Sequence, residues 1–235
     1  MCRRMAAMLA MGLVLAGAAP PPATQSRPSG LSDDQAAALA EATVKKTVPQ
    51  AVLTPLRSTN MHLGGVTPVA NPLKTCVFRS ALLGQGLAAP RRAFVCVSRD
   101  GKVQYPFDAA KQFGALLAAE DVANWREAQF LTAAILYVHL TSVDNEDGWK
   151  VLAKPEDFMA ITFNMPTQGP AVEKRAEAAN AIATPKVIST DDTVTVKFFA
   201  WHLIGGVLRE WTVTFGKDFS ASFRDVGRWG GGGYD

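Results

Sequence analysis

The sequence predicts an α+β fold in which antiparallel β-meanders at about 74–107 and 193–224 pack with helices. Two blocks of period-two alternation, each with glycine-containing turns at hairpin spacing, predict the meanders. An alanine-rich helical pattern precedes the first block, and a mostly helical stretch separates the two. With 48% apolar residues in a chain of 235, one substantial core can form. Residues 31–229 therefore read as a single α+β domain, with a potential division near 145–190. The pattern leaves open whether the meanders join one curved sheet.

The chain opens with a basic head, Arg3 and Arg4, and an uncharged apolar run from Ala6 to Leu15 that ends in Ala16-Gly17-Ala18. This pattern predicts a secretory signal peptide over residues 1–18, too short to span a bilayer, and hence a periplasmic or secreted protein. Ala19 stands where a lipoprotein would carry cysteine, so no lipid anchor is expected, and no later segment is apolar enough to span a membrane. Residues 19–30, with prolines at 20, 21, 22 and 28, form a disordered linker.

Ser32 and Gln35 make a capping-box pattern ahead of a helix from Asp33 to Thr47, ended by Pro49. Between Leu53 and Pro72 the prolines and glycines leave room only for short edge strands. Strands then follow at Cys76 to Phe78 and Ala93 to Ser98, with Asp100-Gly101 turning the chain into Lys102 to Tyr105. Asp108 is placed to cap a helix whose buried stripe is Phe113, Leu116 and Leu117. A second helix runs through Ala134, but 135–142 is apolar on both faces, so periodicity does not separate helix from strand. Trp149 to Ala153 reads as a short strand, Pro155 starts a brief helix, and Ala171 to Ala183 forms another. The clearest signal is a hairpin from Thr193 to Ile204 and Val207 to Phe215, followed by a strand from Phe219 to Arg224; residues 230–235 form a flexible tail.

The chain carries 24 Lys+Arg and 21 Asp+Glu. Loss of a leader with Arg3 and Arg4 and no acid leaves 22 basic and 21 acidic side chains, a net charge of +1. Without a basic stripe carrying interleaved aromatics, nucleic acid is not an expected partner. No Gly-x-Ser-x-Gly elbow, His-Glu-x-x-His, phosphate-binding glycine loop or Cys-x-x-Cys is present, and no cofactor is implied. The acidic residues Asp144, Glu146 and Asp147 fail the EF-hand pattern, so no metal site is expected.

Cys76 and Cys96 form an even pair for an oxidising compartment, and a symmetric register across Gly84-Gln85-Gly86 sets them opposite each other, which predicts a disulfide. Among the three histidines, His62 and His139 offer no constellation, whereas His202 falls opposite Arg209 in the final hairpin. With Asp191 or Asp192 they would make a dispersed acid–base and anion-holding site. Trp201 and Phe199 share the face opposite the expected core and are candidates to floor a ligand groove. The expected function is that of an exported, non-enzymatic protein that binds an unknown envelope protein or small molecule. The alternative is a hydrolase-like or isomerase-like enzyme with a dispersed site around His202.

Overall fold

The computed structural model describes residues 30–55, 72–83, 91–141, 149–161, 170–202 and 206–229. The proposed signal peptide, most of the linker, the tail, His62 and the acidic loop at 144–147 lie outside the described residues. Two open antiparallel sheets alternate with three helical layers.

The first layer is α1, Asp33–Thr47. Ser32 Oγ accepts the Gln35 N–H at 3.2 Å and Gln35 Oε1 accepts the Ser32 N–H at 2.8 Å, so two end donors are satisfied reciprocally. Its buried Ala36, Ala40 and Val44 lie on Val77, Ala81, Val95 and Val97 of the first sheet.

That sheet runs in the order β1 (Val52–Pro55), β2 (Cys76–Leu83), β3 (Arg91–Ser98) and β4 (Val103–Gln104). Gly101, with φ of 91°, makes the turn into β4, and Asp100 accepts hydrogen bonds there from the Ser98 hydroxyl and from the Lys102 N–H. These bonds, the one from Ser98 above all, hold the Asp100 carboxyl below its ordinary pKa.

The opposite face of the first sheet, with Cys76, Phe78, Phe94 and Cys96, packs on α2 (Ala109–Leu117) and α3 (Glu127–Leu140). α2 buries Phe113, Leu116 and Leu117, and its N-cap is Asp108. α3 is one helix through Leu140, so 135–140 is helical. It is buried around nearly its whole circumference, because the second sheet covers its far side.

The second sheet has the order β5 (Trp149–Leu152), β7 (Val194–His202), β8 (Val207–Phe215) and β9 (Ser220–Arg228), with β6 (Lys186–Ser189) also on β7. β5 pairs with residues 199–202 and β6 with 194–197, so two short strands share one edge of β7. Val196, Phe198 and Ala200 of β7, with Trp211, Val213 and Phe215 of β8, complete the central core. On the other face Leu152, Phe199, Trp201 and Leu208 pack with α4 (Pro155–Met159) and α5 (Pro170–Ala181), and Trp229 closes this second core.

Two expected registers are off by two residues. β2 and β3 pair Phe78 with Cys96 and Cys76 with Ser98, and β7 and β8 pair His202 with Val207 and Ala200 with Arg209. An even slip leaves every side chain on its expected face. The cysteines are thus diagonal neighbours rather than an opposed pair. The expected disulfide is not formed: Cys76 and Cys96 are buried and are not bonded to each other. The hydrogen bond that the Cys76 thiol donates to Cys96, together with burial, pushes the Cys76 thiol well above its ordinary pKa.

Candidate functional site

β7 separates the residues that the sequence offered as one acid–base site. His202 ends the strand, while Asp191 and Asp192 lie in the turn before its start. The nine-residue β7, about 26 Å from end to end, separates His202 from that turn. His202, Arg209 and an Asp191 or Asp192 carboxylate do not converge.

At the His202 end, the partner of Arg209 is instead Asp225 of β9, whose Oδ1 accepts from Arg209 Nε at 2.7 Å. Its guanidinium lies 3.9 Å from the Phe223 ring centre and 5.1 Å from that of Trp149. His202 packs edge-on against the same Trp149, with ring centres 4.8 Å apart. Arg209 is therefore held by an acid on one side and by aromatic faces on two others. His139 projects from α3 against Phe94, with ring centres 5.8 Å apart.

Trp201 and Phe199 are not groove residues. Trp201 is 1% exposed and Phe199 7%, both in the core beneath α4 and α5. Trp201 contacts Phe158 and Trp229 at ring-centre distances of 5.3 and 6.3 Å. The amphipathic α4–α5 pair covers this face of the sheet, which removes both rings from any ligand.

The Asp191 end carries a cleft of about 690 Å3. Three segments line it: the end of α2 and the following 3-10 turn, from Gly114 to Trp125; the β6–β7 turn, from Ser189 to Val194; and the β8–β9 turn, from Phe215 to Phe219, with Phe130 beneath. Its apolar floor is a set of edge-to-face rings. Trp125 meets Phe130 at 5.4 Å, Phe130 meets Phe215 at 5.3 Å, and Phe215 meets Phe219 at 5.7 Å. Trp125 remains partly exposed.

The polar lining is strongly one-signed, with Glu120, Asp121, Asp191 and Asp192 set against Lys217. Two of these carboxylates also hold the frame. Glu120 Oε1 accepts the Thr75 N–H at 2.8 Å and its hydroxyl at 2.5 Å, tying this end of the helical layer to the first sheet. Asp121 accepts from Asn124 at 2.7 Å. Asp191 and Asp192 are exposed on the opposite wall. Among the described residues, no three His, Cys, Asp or Glu side chains gather as metal ligands.

Sequence reasoning singled out Asp191 and Asp192 but assigned them the wrong companions. It missed Trp125, Phe130, Phe215 and Phe219 as a floor, and Glu120, Asp121 and Lys217 as a rim. The available signal was the clustering of charged turns after amphipathic elements, at positions that only the folded topology brings to one end.

No protein-family model matches the chain, and no curated protein or solved structure matches it.

Proposed function

We propose that the chain is an exported, non-enzymatic binding protein whose ligand is a small organic cation with an apolar body, held in the cleft beside Asp191 and Asp192. The observation that carries this reading is the pairing of an aromatic floor with a rim of four carboxylates and one lysine, in a cleft of about 690 Å3. A cleft of that volume suits a drug-sized or smaller molecule. Aromatic faces attract cations as well as apolar groups, and the carboxylates focus negative potential at the mouth. Export is supported by the basic head, the apolar run and the small-residue site within residues 1–18. His202, Arg209 and the two aspartates lack the convergence that the acid–base alternative requires.

The test is calorimetric titration with phenethylamine and hexylamine, against phenylacetate and hexanoate as anionic counterparts of similar shape. Preferential binding of the amines supports the reading. Equal binding of both signs, or tighter binding of the carboxylates, contradicts it.

A further inference from the structure

The sheet edges of this fold are unequally protected. β1 is a four-residue strand that ends at Pro55, β4 has two residues, and β5 and β6 divide the free edge of β7 between two four-residue strands. Short strands, interruptions and proline all discourage further pairing. β9 has none of these protections at its start. It is a nine-residue strand at the sheet's edge, largely exposed, without proline or lysine, and among the described residues no strand pairs with its outer side.

The two charges in its middle are also turned inward along the sheet. Arg224 donates to Glu210 at 2.7 and 3.1 Å, and Asp225 accepts from Arg209 at 2.7 Å, both across to β8. Phe223 is 50% exposed, although it stacks on Trp211 at 4.9 Å and beneath the Arg209 guanidinium. A half-exposed phenylalanine on an open strand edge is an unsatisfied surface.

We infer that β9 pairs antiparallel with β9 of a second copy of this chain, around a twofold axis at Phe223. A strand edge is self-complementary under a twofold perpendicular to the sheet, so that one residue faces its own copy. Charge and strand length then select the register, since centring on Ser222 would pair only residues 220–224 of β9. Centring on Arg224 sets two arginines face to face, and centring on Asp225 does the same with two aspartates, each a destabilising pair. Centring on Phe223 pairs residues 220–226 with Ser222 opposite Arg224 and Ala221 opposite Asp225, and no like charges meet.

The bulge agrees with this choice. β9 slips register at Val226, between the Leu208–Gly227 and Arg209–Asp225 pairs. A bulge disrupts the local ladder. The Phe223-centred pairing ends at Val226, whereas the other two run through residues 226–228. The dimer brings two Phe223–Trp211 stacks together on one face and joins two five-stranded sheets into one. An edge-to-edge contact is small, so the dissociation constant is on the order of micromolar.

The experiment is sedimentation velocity on the full chain from low to high micromolar concentration, with single-cysteine variants oxidised under air at the dimeric concentration. Directly opposed residues lie close enough for a disulfide, while a residue one position from the axis is offset by two from its own copy and does not. Phe223→Cys gives a covalent dimer, and Ser222→Cys and Arg224→Cys stay near the wild-type background. Phe223→Lys shifts the wild-type dimer to monomer by at least tenfold in dissociation constant while retaining its circular dichroism spectrum. A wild-type monomer throughout the range overturns the inference. So does a dimer that Phe223→Lys leaves intact, or one that cross-links preferentially at 222 or 224.

Discussion

The Arg209 guanidinium lies 3.9 Å from the centre of the Phe223 ring, across neighbouring strands of the second sheet. With its Nε bonded to Asp225 at 2.7 Å, Arg209 serves as a cross-strand clamp between β8 and β9. A surface cation–π contact and a partly exposed ion pair each contribute about 0.5–1 kcal/mol. Arg209→Ala is therefore expected to lower stability by about 1–2 kcal/mol in urea unfolding. Asp225→Asn lowers it by less, because the half-exposed carboxylate is screened by solvent.

Trp201 gives the opposite case, a large effect on folding with no role at a surface. At 1% exposure it fills the core between β7 and the α4–α5 pair. Trp201→Ala is expected to cost about 3–5 kcal/mol. A chemical denaturation curve measures this directly, and amine binding in the cleft should persist below the transition.

Gly227 supports the same core from the edge. A Cβ at Gly227 would lie 2.1 Å from the Trp229 ring, closer than atoms can pack. Gly227→Ala must therefore displace Trp229 from its contacts with Phe158 and Trp201. The expected readout is a lowered melting temperature with a red-shifted tryptophan emission.

The two cysteines give a pH prediction with a defined sign. The Cys96 contact and burial raise the folded-state pKa of Cys76, so the folded state holds a proton that the unfolded chain gives up more readily. The stabilisation is complete below the unfolded thiol pKa of about 8.5 and declines as pH rises above it. Burial shifts Tyr137 and Tyr105 in the same direction, which adds to the decline at higher pH. Urea midpoints should fall between neutral pH and pH 10, and Cys76→Ala should flatten the first part of that fall. In the folded protein, both thiols should resist a water-soluble thiol reagent at pH 8 and react after denaturation.

The cleft carboxylates predict a salt-dependent affinity. Asp191→Asn combined with Asp192→Asn removes two of the four negative charges on the rim and is expected to weaken phenethylamine binding about tenfold, equivalent to about 1.4 kcal/mol. Raising the ionic strength to about 1 M, where the Debye length is about 3 Å, should shrink the difference between wild type and variant. Isothermal titration at two salt concentrations measures both effects.

Much of the fold was legible because local chemistry and tertiary packing agree. The Ser32–Gln35 box sets the start of α1, and alternation in β7 and β8 gives the central-core face. The length of α3 was hidden because two sheets bury it on opposite sides, which erases the polar stripe that would mark a helix. β6 was missed because three of its four residues are exposed and Ile188 points outward. The registers at Cys76–Ser98 and His202–Val207 depend on how each connection turns, which alternation does not encode. The cleft was least legible, since its aromatic rings come from two distant stretches, 125–130 and 215–219, and each reads locally as core.

The most direct test of the central claim is a 15N heteronuclear correlation spectrum of the chain titrated with phenethylamine. The account predicts saturable shifts at the Trp125 indole and at the amides of residues 114–125, 189–194 and 215–219, while the Trp149 and Trp201 indoles stay in place. Shifts centred on Trp149 and His202, or none at concentrations that saturate an acid-lined aromatic cleft, would contradict it.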